Sequence, residues 1–185
     1  MAQTRRKSRR GPREAPEPPD SAAALEIAVR FLGTRPRTQW EIERRLSRAG
    51  ASAEVMGVTL KRLAAMGYLD DAAFVRWWVE QRDRHAPRGR RLIEAELRQH
   101  GVPREVIAAH ASEPVENIRP EDEMLPATDQ ERAGVALERH LRGRPLPTES
   151  RALQRVGMFL VRRGFDPETA RSAIRAAAQP ERGAR

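Results

Sequence analysis

Three glycines, Gly50, Gly101 and Gly164, constrain the chain more than any other feature, because aligning them brings matching residues into register on both sides. Eight residues before each stand Ile42, Ile93 and Val156; four before stand Leu46, Leu97 and Leu160; four after stand Glu54, Glu105 and Glu168. The two residues that follow each glycine are Ala51-Ser52, Val102-Pro103 and Phe165-Asp166, an apolar or small residue and then a helix starter. An apolar pair at i, i+4 buries one helix face, glycine supplies a left-handed C-cap, and a carboxylate in the next first turn meets the positive end of the helix dipole. The pattern predicts a unit of three helices and about fifty residues, repeated three times. The glycines are 51 and then 63 residues apart, so the segment between the second and third units must absorb the difference. Units this small hold little core each, and stacking into an elongated curved array that shares one core is the expected remedy.

Helix punctuation supports this reading. Ser21 can cap a helix bearing Leu25, Ala28, Val29 and Leu32, stopped by Gly33 and Pro36. Thr38-Gln39-Trp40-Glu41 is a capping box leading into Ile42, Leu46 and Ala49. Ser52 can cap a third helix with Val55, Thr59, Leu63 and Met66 on one stripe. Asp70 then caps a helix bearing Phe74, Trp77 and Trp78; Ile93 and Leu97 mark the next, and Pro103 opens a short one. A second capping box, Thr128-Asp129-Gln130-Glu131, precedes Val135, Leu137 and Leu141. Leu153, Val156, Phe159 and Leu160 mark the penultimate helix, and Asp166-Pro167 starts the last, with Ala170 and Ile174. No stretch alternates as a strand does, so the fold class expected is all-α.

The expected boundaries are a disordered basic tail over 1–20, a first repeat over 21–69, a second over 70–111, an acidic proline-rich linker over 112–127, a third repeat over 128–178 and a tail over 179–185. The tail holds six basic and three acidic residues with four prolines, and the linker holds Pro114, Pro120 and Pro126 among five acids. Leu, Ile, Val and Phe make up about a fifth of the chain, a fraction close to that of disordered sequences. Outside residues 1–20, 112–131 and 179–185 the fraction rises to 32 of 138 residues, enough for a modest core.

Composition also bounds function. The net charge is +9, and 33 of the 35 basic residues are arginine, whose planar fork suits carboxylate and phosphate. Acidic partners follow. With no cysteine there are no disulfides, thiolate metal sites or thiol catalysis, and no run reaches the roughly 18 apolar residues of a spanning helix. The N-terminus lacks a secretory apolar core, so the expected location is the cytoplasm, with no membrane partner. His85, His100, His110 and His140 show no metal-ligand spacing, no glycine-rich loop ends in lysine, and no nucleophile elbow surrounds a serine. The expectation is a chain without cofactor, metal or catalytic residue.

Gly67-Tyr68-Leu69-Asp70-Asp71, followed by Phe74, then Arg88-Gly89-Arg90-Arg91, Leu97 and Gly101-Val102, resembles the RecX family, regulators of the RecA recombinase. Arg35-Pro36-Arg37 with Glu41, and Phe159-Leu160-Val161-Arg162-Arg163-Gly164-Phe165, extend the resemblance over 21–178. Three tandem three-helix units are what that family implies. The aromatic helix departs from the pattern in Val75 and in its doubled Trp77-Trp78, and the linker is longer and richer in proline than expected. The resemblance implies a monomeric regulator of RecA and its nucleoprotein filament in DNA repair and recombination, inhibiting the recombinase and touching DNA through phosphate contacts. The alternative is a sequence-specific DNA-binding protein of the helix-turn-helix type, because three-helix units with short turns also present recognition helices. A helical adaptor for other acidic proteins is a third reading.

Arg82, Arg84, Arg88, Arg90 and Arg91 stand against Asp83, a local charge of +4 in ten residues around a helix break. If they point one way they form a clamp for phosphate or carboxylate; the plain alternative is a solvated charged face. They are the candidate filament-binding residues, with Arg44, Arg45 and Arg48 of the first unit as additions. Asp70 and Asp71 are explained by capping, and Tyr68 with Leu69 by packing onto Phe74; the competing role for Tyr68 and Asp71 is contact with the recombinase. Trp77 and Trp78 lie 100° apart on a helix, so one is expected in the core and the other at an interface.

Overall fold

A computed structural model describes residues 17–112, 125–126 and 128–179. Most of the expected tail, of the linker and of the C-terminal segment lies outside these residues. Among the described residues there are nine helices and no strand: α1 (Ser21–Leu32), α2 (Gln39–Arg48), α3 (Ala53–Ala65), α4 (Asp71–His85), α5 (Arg90–Gln99), α6 (Arg104–Ser112), α7 (Asp129–Leu141), α8 (Ser150–Arg162) and α9 (Pro167–Ala178). The all-α repeat expected from the glycine alignment is borne out.

The local chemistry explains each boundary. Both capping boxes form, Thr38 with Glu41 and Thr128 with Glu131, and Ser52, Asp70 and Asp166 cap α3, α4 and α9 through their side chains. At α1 the cap is Asp20, whose carboxylate accepts the Ala23 N–H at 2.8 Å, and Ser21 is already helical. Gly50, Gly101 and Gly164 have φ of +83°, +75° and +88°. In each case the residue after the glycine donates its N–H to the carbonyl of the leucine five positions earlier: Ala51 to Leu46 at 3.1 Å, Val102 to Leu97 at 3.1 Å and Phe165 to Leu160 at 3.3 Å. This is the Schellman closure, with its apolar contact between the two residues it joins. The repeat in the sequence is therefore a repeat of one helix-ending device.

The apolar stripes assemble three cores. Ile42, Leu46, Ala24, Ala28 and Leu63 form the first, Phe74, Val75, Ile93, Leu97 and Val102 the second, and Leu137, Val156, Leu160, Phe165 and Ala173 the third. The expectation of a shared core is thus corrected, since α1–α3, α4–α6 and α7–α9 each pack around their own. The reason is visible at the junctions, where units meet through helix ends, and helix ends are polar. Met66 also departs from expectation. It is 45% exposed, because Schellman closure of α3 at Gly67 turns the last residue out.

Candidate functional site: junctions and arginines

The two junctions repeat each other. At the first, the Thr38 hydroxyl donates to the His100 carbonyl at 2.6 Å and the Gln39 N–H donates to Asp71 at 3.1 Å. At the second, the Gly89 N–H donates to the Arg163 carbonyl at 2.9 Å and the Arg90 N–H donates to Asp129 at 3.0 Å. In both, the start of a unit's middle helix docks on the end of the next unit's middle helix, and the first residue of the next unit's leading helix accepts the following N–H. Head-to-tail contact satisfies orphan donors with orphan acceptors and aligns the helix dipoles favourably.

Side chains reinforce each junction. Glu41 gathers Arg35 at 2.6 Å, Arg37 at 3.9 Å and His100 at 3.1 Å beside the first. At the second, Arg132 holds the buried Asp83 with two bonds of 2.7 and 3.1 Å, and Arg91 reaches Asp166 at 3.2 Å. The attraction of Asp83 and Asp129 outweighs desolvation and raises the Arg132 pKa, so this guanidinium stays charged although partly buried.

The five clustered arginines do not converge as a free clamp. Arg82 and Arg88 both bind Glu96, which is 8% exposed and also accepts the Trp78 indole N–H at 2.9 Å. Arg84 pairs with Glu80 and Arg90 with Glu94, one turn away. Burial lowers the Arg82 and Arg88 pKa, with mutual repulsion and Arg163 adding at Arg88. Arg44 lies over the exposed Trp40 ring at 4.4 Å, and Arg45 and Arg48 are exposed at the end of α2. Among the described residues these three have no carboxylate partner.

Trp77 and Trp78 are both partly buried against the second core. Trp78 stacks on Phe74 and meets the His100 ring edge-on at 4.3 Å, while Trp77 faces Arg35 of the first unit. The small core admits an edge of each. Tyr68 is 51% exposed beside a groove of about 510 Å³ that Arg35, Arg37 and Phe74 also line. Asp71 is engaged at the junction, where burial, the largest influence, raises its pKa.

That shift has a testable sign. The folded protein holds the Asp71 proton more tightly than the unfolded chain, so ionisation weakens the fold as pH rises through the carboxylate range. Asp71→Asn keeps the oxygen that accepts from Gln39. It should therefore raise thermal stability at pH 7, with the gain fading below the usual carboxylate pKa; melting curves from pH 3 to 8 would show it, and a uniform loss would contradict it.

Sequence reasoning missed Glu96, Asp83, Arg132 and the cations around the second junction. Two of them had a signal. Glu96 follows Ile93 by three and precedes Leu97, and Asp83 follows Val75 and Val79 by eight and four, so both lie on apolar stripes. A carboxylate there implies a buried partner. Among the described residues, no group of three or more histidine, aspartate or glutamate side chains is placed to hold a metal ion, and no helix is long and apolar enough to cross a membrane.

Two family profiles match, RecX, first three-helix domain, over residues 24–63, and RecX, second three-helix domain, over 70–110. The regulatory protein RecX of Mycobacterium avium (strain 104) is 30% identical, covering 92% of this chain and 94% of that one. The chain belongs to the RecX family. The regulatory protein RecX of Thermobifida fusca (strain YX) is 35% identical, over 83% of this chain and 78% of its own. The RecX fold itself is shared with the crystal structure of RecX from Lactobacillus salivarius, with a TM-score of 0.68 at 13% identity over 86% of this chain and 97% of that one. A RecX chain is a regulatory protein, and the junction residues above are what hold its units in order.

Proposed function

We propose that this chain binds the RecA recombinase and its DNA filament and inhibits recombinase activity during DNA repair and recombination, acting as a cytoplasmic monomer without catalysis of its own. The observation that carries the reading is membership of a family of regulatory proteins over nearly the whole chain. An arginine-rich surface on a stacked array suits an acidic polymer. Within this reading Arg44, Arg45 and Arg48, with the outward ends of Arg84, Arg90 and Arg91, make the contacts. Arg82 and Arg88 act from behind, by holding Glu96.

One observation weighs against sequence-specific duplex recognition. Each third helix carries a glutamate at its second position, in the first turn: Glu54, Glu105 and Glu168. In a helix-turn-helix unit that first turn enters the major groove between two phosphate backbones, where a carboxylate repels. The experiment is RecA-dependent ATP hydrolysis and strand exchange with purified chain added at ratios below one per recombinase. Slowing at such ratios is expected, and no effect at any ratio overturns the reading. Selection on random duplexes should enrich no sequence.

A further inference from the structure

A cleft of about 360 Å³ opens where the second unit meets the third, under the ends of α4, α7 and α8. Its cations are Arg139, Arg142, Arg144 and Arg163, joined by His85 and His140, and no carboxylate lines it. Among the described residues none of the four arginines is ion-paired. This sets the cleft apart from the Arg82–Arg91 cluster, where every guanidinium has an acidic partner.

The plain explanation for cations here is compensation of helix C-termini. Three helix ends contribute about half a negative charge each, so four arginines leave an excess of roughly two and a half positive charges. Compensation therefore accounts for less than half of the charge present. Of the four, Arg163 also lies near enough to Arg88 to add to the repulsion that group feels. Arg142 sits at the lip with φ +51°, a left-handed conformation that glycine or asparagine would adopt at lower cost. The Phe159 ring forms one wall, with His140 stacked on it at 3.8 Å and Arg163 over it at 4.7 Å, so one of the four guanidinium groups is held against an apolar surface. Weakly hydrated guanidinium groups in such a setting favour phosphate oxygens, which accept several hydrogen bonds at once.

We propose that this cleft binds phosphate groups, carried by a nucleic-acid strand or by a nucleoside polyphosphate. The site requires no recombinase, so it stands or falls separately from the regulatory reading.

The test is fluorescence anisotropy of a labelled oligothymidylate with the full chain at low salt, without recombinase. The triple variant Arg139→Ala, Arg142→Gly, Arg144→Ala should bind at least about tenfold more weakly. Its slope of log affinity against log salt should flatten by about one to two. Arg62→Ala, Arg98→Ala, Arg104→Ala removes the same charge from exposed positions elsewhere and should change affinity little. Wild-type affinity in the cleft variant, or equal losses in the two triples, overturns the proposal. Arg142→Gly alone should raise the melting temperature while weakening binding, which separates the site from any effect on folding. Competition assigns the source: displacement of the oligonucleotide by ATP or tripolyphosphate at micromolar concentration supports a polyphosphate site, and displacement by unlabelled strand alone supports the nucleic-acid backbone.

Discussion

Gly89→Ala should destabilise the junction between the second and third units by about 2–3 kcal/mol, whereas Gly50→Ala should cost about 1 kcal/mol. The contrast separates conformation from space. Gly89 has φ −69° and ψ 154°, which alanine adopts freely, so the substitution carries no backbone penalty. Yet a Cβ there would lie 2.3 Å from the Gly164 carbonyl carbon and 2.4 Å from the Phe165 nitrogen, backbone atoms that no rotamer change can move. The units must part, and the Gly89 to Arg163 hydrogen bond lengthens with them. Gly50 is the reverse case, with φ +83° and nothing within 4 Å. Gly164→Ala combines both, since its φ is +88° and a Cβ would stand 2.4 Å from the Leu92 Cβ, so it should cost the most of the three. Because three cores can open separately, amide exchange resolved by segment is the better measure. Faster exchange in residues 128–178 of Gly89→Ala, with residues 21–69 unchanged, is expected; equal and mild effects at Gly50 and Gly89 would refute the close packing.

Arg132→Met should cost about 3–5 kcal/mol, because it leaves the 3% exposed Asp83 carboxylate buried without its guanidinium. The same change frees Asp129, which Arg132 approaches at 3.4 Å and which receives the Arg90 N–H. Loss should therefore spread from the ion pair to the junction. Pairing it with Asp83→Leu should restore most of the stability, since two apolar side chains of similar volume can replace a buried pair at little cost. Denaturant melts of the two single variants and the double variant form the cycle. Strict additivity would show that the two side chains do not act on each other.

What the sequence made legible is what depends on near neighbours. Caps at Thr38, Ser52, Asp70, Thr128 and Asp166, and left-handed glycines after α2, α5 and α8, are decided within five residues. The junctions were not legible because their partners lie far apart in the chain: Thr38 and His100 are separated by 62 positions and Pro87 and Arg163 by 76. Charge density drew attention to Arg82–Arg91, but pairing decides whether a guanidinium is available, and Glu96 and Asp166 come from other elements. The cations of the second junction escaped notice for the opposite reason. Arg139, Arg142 and Arg144 are interleaved with ordinary helix-end residues, and Arg163 joins them only through folding. The tryptophan pair divides largely as its angular spacing implies: Trp78 stacks on Phe74 and donates to Glu96, while Trp77 meets Arg35 of the first unit, and both also edge the second core.

The head-to-tail docking of the middle helices gives the array a polarity. Its leading end shows the unoccupied Gly50 turn, and its trailing end shows the start of α8, where no side chain caps the helix. An object whose two ends differ can lie along a directional polymer in one sense only, as a key enters a lock one way round. Distance measurements from labels placed at the two ends would read that sense directly.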